Sequence, residues 1–291
     1  MDIALHMGAH LTDDGRLRST LEKNQPLLHS VGIEVPEAAQ FRTSILDAIK
    51  SHAQHGLDPD AGEMLLDSIV TSDTTERLVL STARFLAPLP SAVRRAQLCP
   101  MAEPRVKALR ALFGEHNVSL FLSIRNPASF IPALLGAVND EQANIIRGDL
   151  EPTALRWSDL VRTIRDQFPE APITIWCDED TPFLWEDVLH AVSGYAGPEP
   201  LAHVYDWFDT VLVDGGAAKL AEYMENAPPM DRNQRQRVIA AFLDKFCDEA
   251  KIDVDVSTTG WSEDMVDLLS ELYDDDVATL GAMDGVTLLQ P

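Results

Sequence analysis

A chain of 291 residues with 45% hydrophobic and 24% charged side chains can bury a large core, and its composition carries no bias toward disorder, collagen or coiled coil. Its 47 acids against 23 bases give a formal net charge of −24, which repels phosphate backbones and anionic lipid and so argues against nucleic acid and membrane partners. No apolar run approaches the ~20 residues of a membrane span, and residues 1–6 lack the basic and apolar regions of a secretory signal, so a cytoplasmic protein is expected.

Residues 3–8 are a short apolar run followed by a polar turn. A helix-like pattern then covers 17–31, with Thr12, Asp13 and Asp14 as alternative N-caps. Residues 33–35 form a second extended piece before Pro36, and helical stretches follow at 38–52 and 61–70, parted by Gly56 and Pro59. Three further runs, at 78–80, 118–124 and 173–176, are continuously apolar rather than alternating, as parallel strands covered on both faces must be. Helical pattern at 105–113 and 155–168 separates them. Strand and helix in alternation predict an α/β fold with a parallel sheet flanked by helices.

Beyond about Pro200 the strand pattern fades, and helices are expected at 219–226, 235–250 and 262–273. The organisation read from this is an α/β core over 1–200 and an acidic, mainly helical region over 201–291 packed on it. Residues 248–284 hold twelve acids and one base, Lys251, a surface suited to a basic protein partner. Asp253 and Asp255 alternate with valines as an edge strand would, and Asp274, Asp275 and Asp276 read as a helix end in solvent. Cys99, Cys177 and Cys247 are far apart, which fits neither a disulfide framework nor a zinc site.

In an open α/β sheet ligands gather at the carboxyl ends of the strands. The first such turn contains Gly8, His10, Leu11, Thr12, Asp13, Asp14 and Gly15, and a strand turning into a helix N-terminus is an anion site. The frame of Gly8 and Thr12, a helix carrying Leu21 to Asn24, and then Val31-Gly32-Ile33 resembles the bacterial sulfotransferase-like P-loop family. Arg125-Asn126-Pro127, closing the strongest strand, resembles that family's Arg-(Asp/Asn)-Pro element. The likeness covers residues 1–195. It implies 3′-phosphoadenosine 5′-phosphosulfate as cofactor, held by Gly8, Thr12, Arg125 and Ser129, with His10 or Glu179 as the base that deprotonates an acceptor hydroxyl.

The departures fall on the chemistry. Leu11 stands where the family has its loop Lys, Asp13 and Asp14 replace Gly and Thr, and Gly15 replaces the last Thr. Ala133 takes the place of the 3′-phosphate Ser, and Ser81-Thr82-Ala83 lacks the acid of a Ser-x-Glu strand end. Three readings follow: a divergent sulfotransferase, a non-catalytic binding protein on the same scaffold, and a cation site from His10, Asp13, Asp14, Asp178 and Asp180. Arg125 has two readings of its own, as a phosphate ligand or as the partner of Asp14 or Asp178. His6, inside the first strand, reads as a hydrogen-bonded core histidine.

Overall fold

The computed structural model describes residues 1–252 and 256–291. Asp253 and Asp255 lie outside the described residues. Among the described residues eight strands are formed: β1 (Asp2–His6), β2 (Ile33–Glu34), β3 (Arg77–Ser81), β4 (Val93–Arg94), β5 (Gln97–Leu98), β6 (Asn117–Ile124), β7 (Ile173–Cys177) and β8 (Val286–Leu288). Six make one sheet in the order β2-β3-β1-β6-β7-β8, every neighbouring pair parallel. Strands β4 and β5 form a separate antiparallel hairpin.

Period-two side-chain geometry explains why the strands are apolar without interruption. Ile3, Leu5, Leu78, Leu80, Leu120, Leu122, Ile173 and Ile175 enter the core on one face of the sheet. Ala4, Val79, Phe121 and Trp176, which alternate with them, enter the core on the other. Helices Ala38–His55, Ala102–Phe113, Pro127–Ala137 and Trp157–Gln167 cover the first face. Arg16–Lys23, Thr181–Ser193 and Gly216–Asn226 cover the second. Among the described residues no helix is long and apolar enough to cross a membrane.

Three expectations change. The pattern at 17–31 is two helices, Arg16–Lys23 and Gln25–His29. Asn24 separates them, because its side chain accepts from Ala202 N at 2.7 Å and donates to Ala202 O at 2.9 Å, while Pro26 starts the next helix. Strands also do not end near residue 200: Val286–Leu288 pairs with β7 and extends the sheet. A three-residue strand is too short for periodicity to reveal.

The third concerns the acidic triplet. Asp276 is not at a solvated helix end but lies inside helix Glu263–Gly281, 5% exposed. Its carboxylate accepts from Trp157 N at 2.6 Å and Ser158 N at 3.2 Å. Helix Trp157–Gln167 has no side-chain cap of its own, so Asp276 supplies from another helix the acceptor that its first amides need.

Candidate functional site

The chain leaves β1 toward β2 on one side of the sheet and leaves β6 toward β7 on the other, so the crevice between β1 and β6 is the topological switch point. The loop after β1 and the Arg125-Asn126 corner after β6 flank it. Sequence and topology therefore select the same place.

The loop runs along β6 before it turns. Met7 N donates to Phe121 O, Ala9 N to Ser123 O, and Ser123 N back to Gly8 O. The first amides after the strand are thus committed to the sheet rather than presented to a ligand. Gly8, at φ 94, has a packing role as well: a Cβ there would lie 2.8 Å from Ala83 Cβ. Thr12 donates its hydroxyl to Ala9 O at 3.0 Å. Asp13, buried, accepts from Leu17 N at 3.1 Å through Oδ2. The N-cap position itself is Gly15, none of the three alternatives, but Asp13 reaches past it to the second helical amide, so a carboxylate stands at the positive end of helix Arg16–Lys23. Asp14 is exposed and pairs with Arg16 at 3.3 Å.

Two nitrogens of the Arg125 guanidinium are engaged. One terminal nitrogen donates to Leu11 O at 2.6 Å, and Nε donates to Ser129 Oγ at 3.0 Å. Asp178 Oδ2 lies 3.8 Å from the same Nε, an ion pair without a hydrogen bond because that proton already points to Ser129. Of the two carboxylates considered for Arg125, Asp178 is the partner. Burial raises the Asp178 carboxyl to about 7; Arg125 opposes this, while Glu179, Asp13 and Asp14 add to it.

Glu179 has both oxygens occupied: Oε1 accepts from Asn126 N at 2.8 Å and Oε2 from the Tyr273 hydroxyl at 3.1 Å. Burial, then the Glu179 charge, hold the Tyr273 hydroxyl far above its ordinary pKa, so it stays protonated and donates. Asn126 caps helix Pro127–Ala137 through Ala128 N and donates to Ser270 Oγ at 2.9 Å. Trp157 Nε1 donates to the carbonyl of Arg125 at 2.8 Å. Ser270, Tyr273 and Asp276, one stripe of helix Glu263–Gly281, therefore close over the carboxyl ends of β6 and β7. None of the three was singled out in the sequence as a site residue.

His10 lies on the other side of the loop. Its Nε2 meets Ala87 O at 2.8 Å, and burial lowers its pKa, with the Ala87 carbonyl opposing and the Arg84 and Arg105 charges adding. It lines a cleft of about 350 Å³ with Asp13, Asp14, Ser81, Arg18, Arg42 and Arg84. Gly8, Thr12, Arg125, Ser129 and Glu179 are not part of that wall. The residues selected from the sequence thus fall into two groups, His10 at the open cleft and Arg125, Ser129 and Glu179 in a closed network beneath helix Glu263–Gly281. The arginines of the cleft went unselected; their signal was bases beside strand ends in a strongly acidic chain.

His6 is a hydrogen-bonded core histidine: Nδ1 meets Ser81 Oγ at 2.8 Å, the ring stacks on Trp176, and burial lowers its pKa. Among the described residues no three His, Cys, Asp or Glu side chains converge to hold a metal ion, and His10, Asp13, Asp14, Asp178 and Asp180 are no exception. Set against protein-family models, curated proteins and solved structures, the chain matches none.

Proposed function

We propose that this chain is a sulfotransferase-like P-loop scaffold that has ceased to transfer sulfate and acts as a non-catalytic binding protein. The observation that carries the reading is the Asp13 carboxylate on the N-terminus of helix Arg16–Lys23, where the resemblance puts a phosphate. A second negative group about 4 Å from that carboxylate, at an effective dielectric near 20, costs on the order of 4 kcal/mol, or roughly a thousandfold in affinity. The arrangement of Arg125 supports the same conclusion. A guanidinium that recognises phosphate does so through two parallel bonds, and here two of its three nitrogens, Nη1 and Nε, already reach Leu11 O and Ser129 Oγ. Glu179, the candidate base, already accepts two hydrogen bonds. The surface left to a basic protein partner is the exposed acidic side of helix Glu263–Gly281, with Glu263, Asp264, Asp267, Glu271 and Asp274.

Calorimetric titration with 3′-phosphoadenosine 5′-phosphate tests this. The expected outcome is no binding up to about 1 mM, for the wild type and equally for Leu11→Lys, since a restored lysine leaves the Asp13 carboxylate in place. A dissociation constant below roughly 100 µM, or transfer of sulfate from the phosphosulfate to an acceptor, would overturn it.

A further inference from the structure

Two adjoining clefts lie on the β3 side of the first loop, apart from the closed network around Arg125. The first is the cleft of about 350 Å³ whose wall holds Arg18, Arg42 and Arg84 with His10, Asp13 and Asp14. The second, of about 470 Å³, is walled mainly by Leu46, Ile49, Ala53, Pro88, Met101 and Pro104. Arg84 belongs to both walls. Helix Ala38–His55 runs along the pair. Ala38 and Arg42 border the first cleft, and Leu46, Ile49 and Ala53 border the second. Spacings of four, four, three and four place them on one side of the helix, and Arg42 to Ala53 spans about 16 Å of its axis.

The charges are unequally committed. Asp14 is paired with Arg16, Asp13 caps Leu17 N, and Arg18 is shared with Glu22. Arg42 and Arg84 are exposed and have no ion-pair partner among the described residues. Two such guanidinium groups at the mouth of one cleft, beside an apolar trough, form a local cationic end on a molecule of net charge −24. An inorganic anion would leave the trough empty and a neutral apolar molecule would leave the arginines unanswered.

We propose that the joined clefts bind a small soluble organic anion, a phosphate or sulfate monoester of an aromatic or acyl group. Its anionic head meets Arg42 and Arg84, and its apolar body lies along Leu46, Ile49 and Ala53. The first cleft shares His10, Leu11, Asp13, Asp14 and Gly15 with the loop of the resemblance, but Arg42, Arg84 and helix Ala38–His55, which would hold the ligand, have no part in that resemblance.

The probe is 1-naphthyl phosphate, titrated by calorimetry beside inorganic phosphate and neutral 1-naphthol. The ester is expected to bind with a dissociation constant below about 1 mM, and each of the other two at least roughly tenfold more weakly. The double variant Arg42→Ala, Arg84→Ala is expected to weaken the ester by about tenfold or more. Ala53 is exposed, so Ala53→Trp should fold, fill the trough and weaken the ester while leaving inorganic phosphate unchanged. An unshifted melting temperature shows that each variant keeps its fold. Silence of the ester up to roughly 10 mM, unchanged affinity in the arginine variant, or equal binding of 1-naphthol would each overturn the proposal.

Discussion

Burial holds the Asp178 carboxyl at about 7 although Arg125 lies 3.8 Å away. The guanidinium has its donors on Leu11 O and Ser129 Oγ, so it offers Asp178 charge but no hydrogen bond, and desolvation wins. A native carboxyl that keeps its proton more tightly than the unfolded one, 3.8 to about 7, makes stability fall as pH rises across that window. The full effect above the window is on the order of 4 kcal/mol. Asp178→Asn, which mimics the protonated form, is therefore expected to be more stable than the wild type near pH 8, and the difference should narrow as pH falls through 7 and close only below 3.8. Melting temperatures of both proteins across that range check it, and a pH-independent difference would show that some other group carries the effect. Arg125 and the three loop positions Thr12, Asp13 and Asp14 were legible in the sequence as a set of alternatives. Which alternative is realised depends on proton directions and distances that only the folded crevice fixes.

Helix Glu263–Gly281 shows what a pattern holds and how a charged triplet hides it. Leu269, Tyr273, Asp276 and Leu280 are its buried residues, at spacings of four, three and four. That register places Asp276 on the inward stripe, whereas Asp274 and Asp275 beside it face solvent. Read as a composition the triplet is a solvated end; read as a register its third member is a buried acceptor. Asp276→Ala leaves the amides of Trp157 and Ser158 without a partner and is expected to cost about 2–4 kcal/mol, with Asp276→Asn costing less because one oxygen still accepts. Chemical denaturation measures both. Equal stability of Asp276→Ala and wild type would mean that the helix finds another cap. The same helix sends Ser270 to Asn126 and Tyr273 to Glu179. These contacts join residues more than 90 positions apart, and no local motif reports them.

At the scale of the whole molecule strands β1, β3, β6 and β7 were legible because continuous apolar runs demand two covered faces, whereas the three-residue β8, with no buried residue, was not. The charge of −24 acts at this scale too. Eleven lysine or arginine ion pairs are formed among the described residues, but most have at least one partly exposed member, and such pairs contribute roughly 0–1 kcal/mol each. They cannot offset the repulsion among 47 acids and 23 bases on one compact body. Salt weakens both terms, yet the repulsion is summed over many pairs at long range and is screened more, since the Debye length falls from about 20 Å near 0.02 M to about 8 Å near 0.15 M. The melting temperature at neutral pH is therefore expected to rise by a few degrees across that range. At pH 4.5, the isoelectric point, the net charge is close to zero and the same addition of salt should change the melting temperature far less. Scanning calorimetry at the two pH values decides. A melting temperature that falls with salt at neutral pH would show that ion pairs, and not the net charge, govern the electrostatics of the fold.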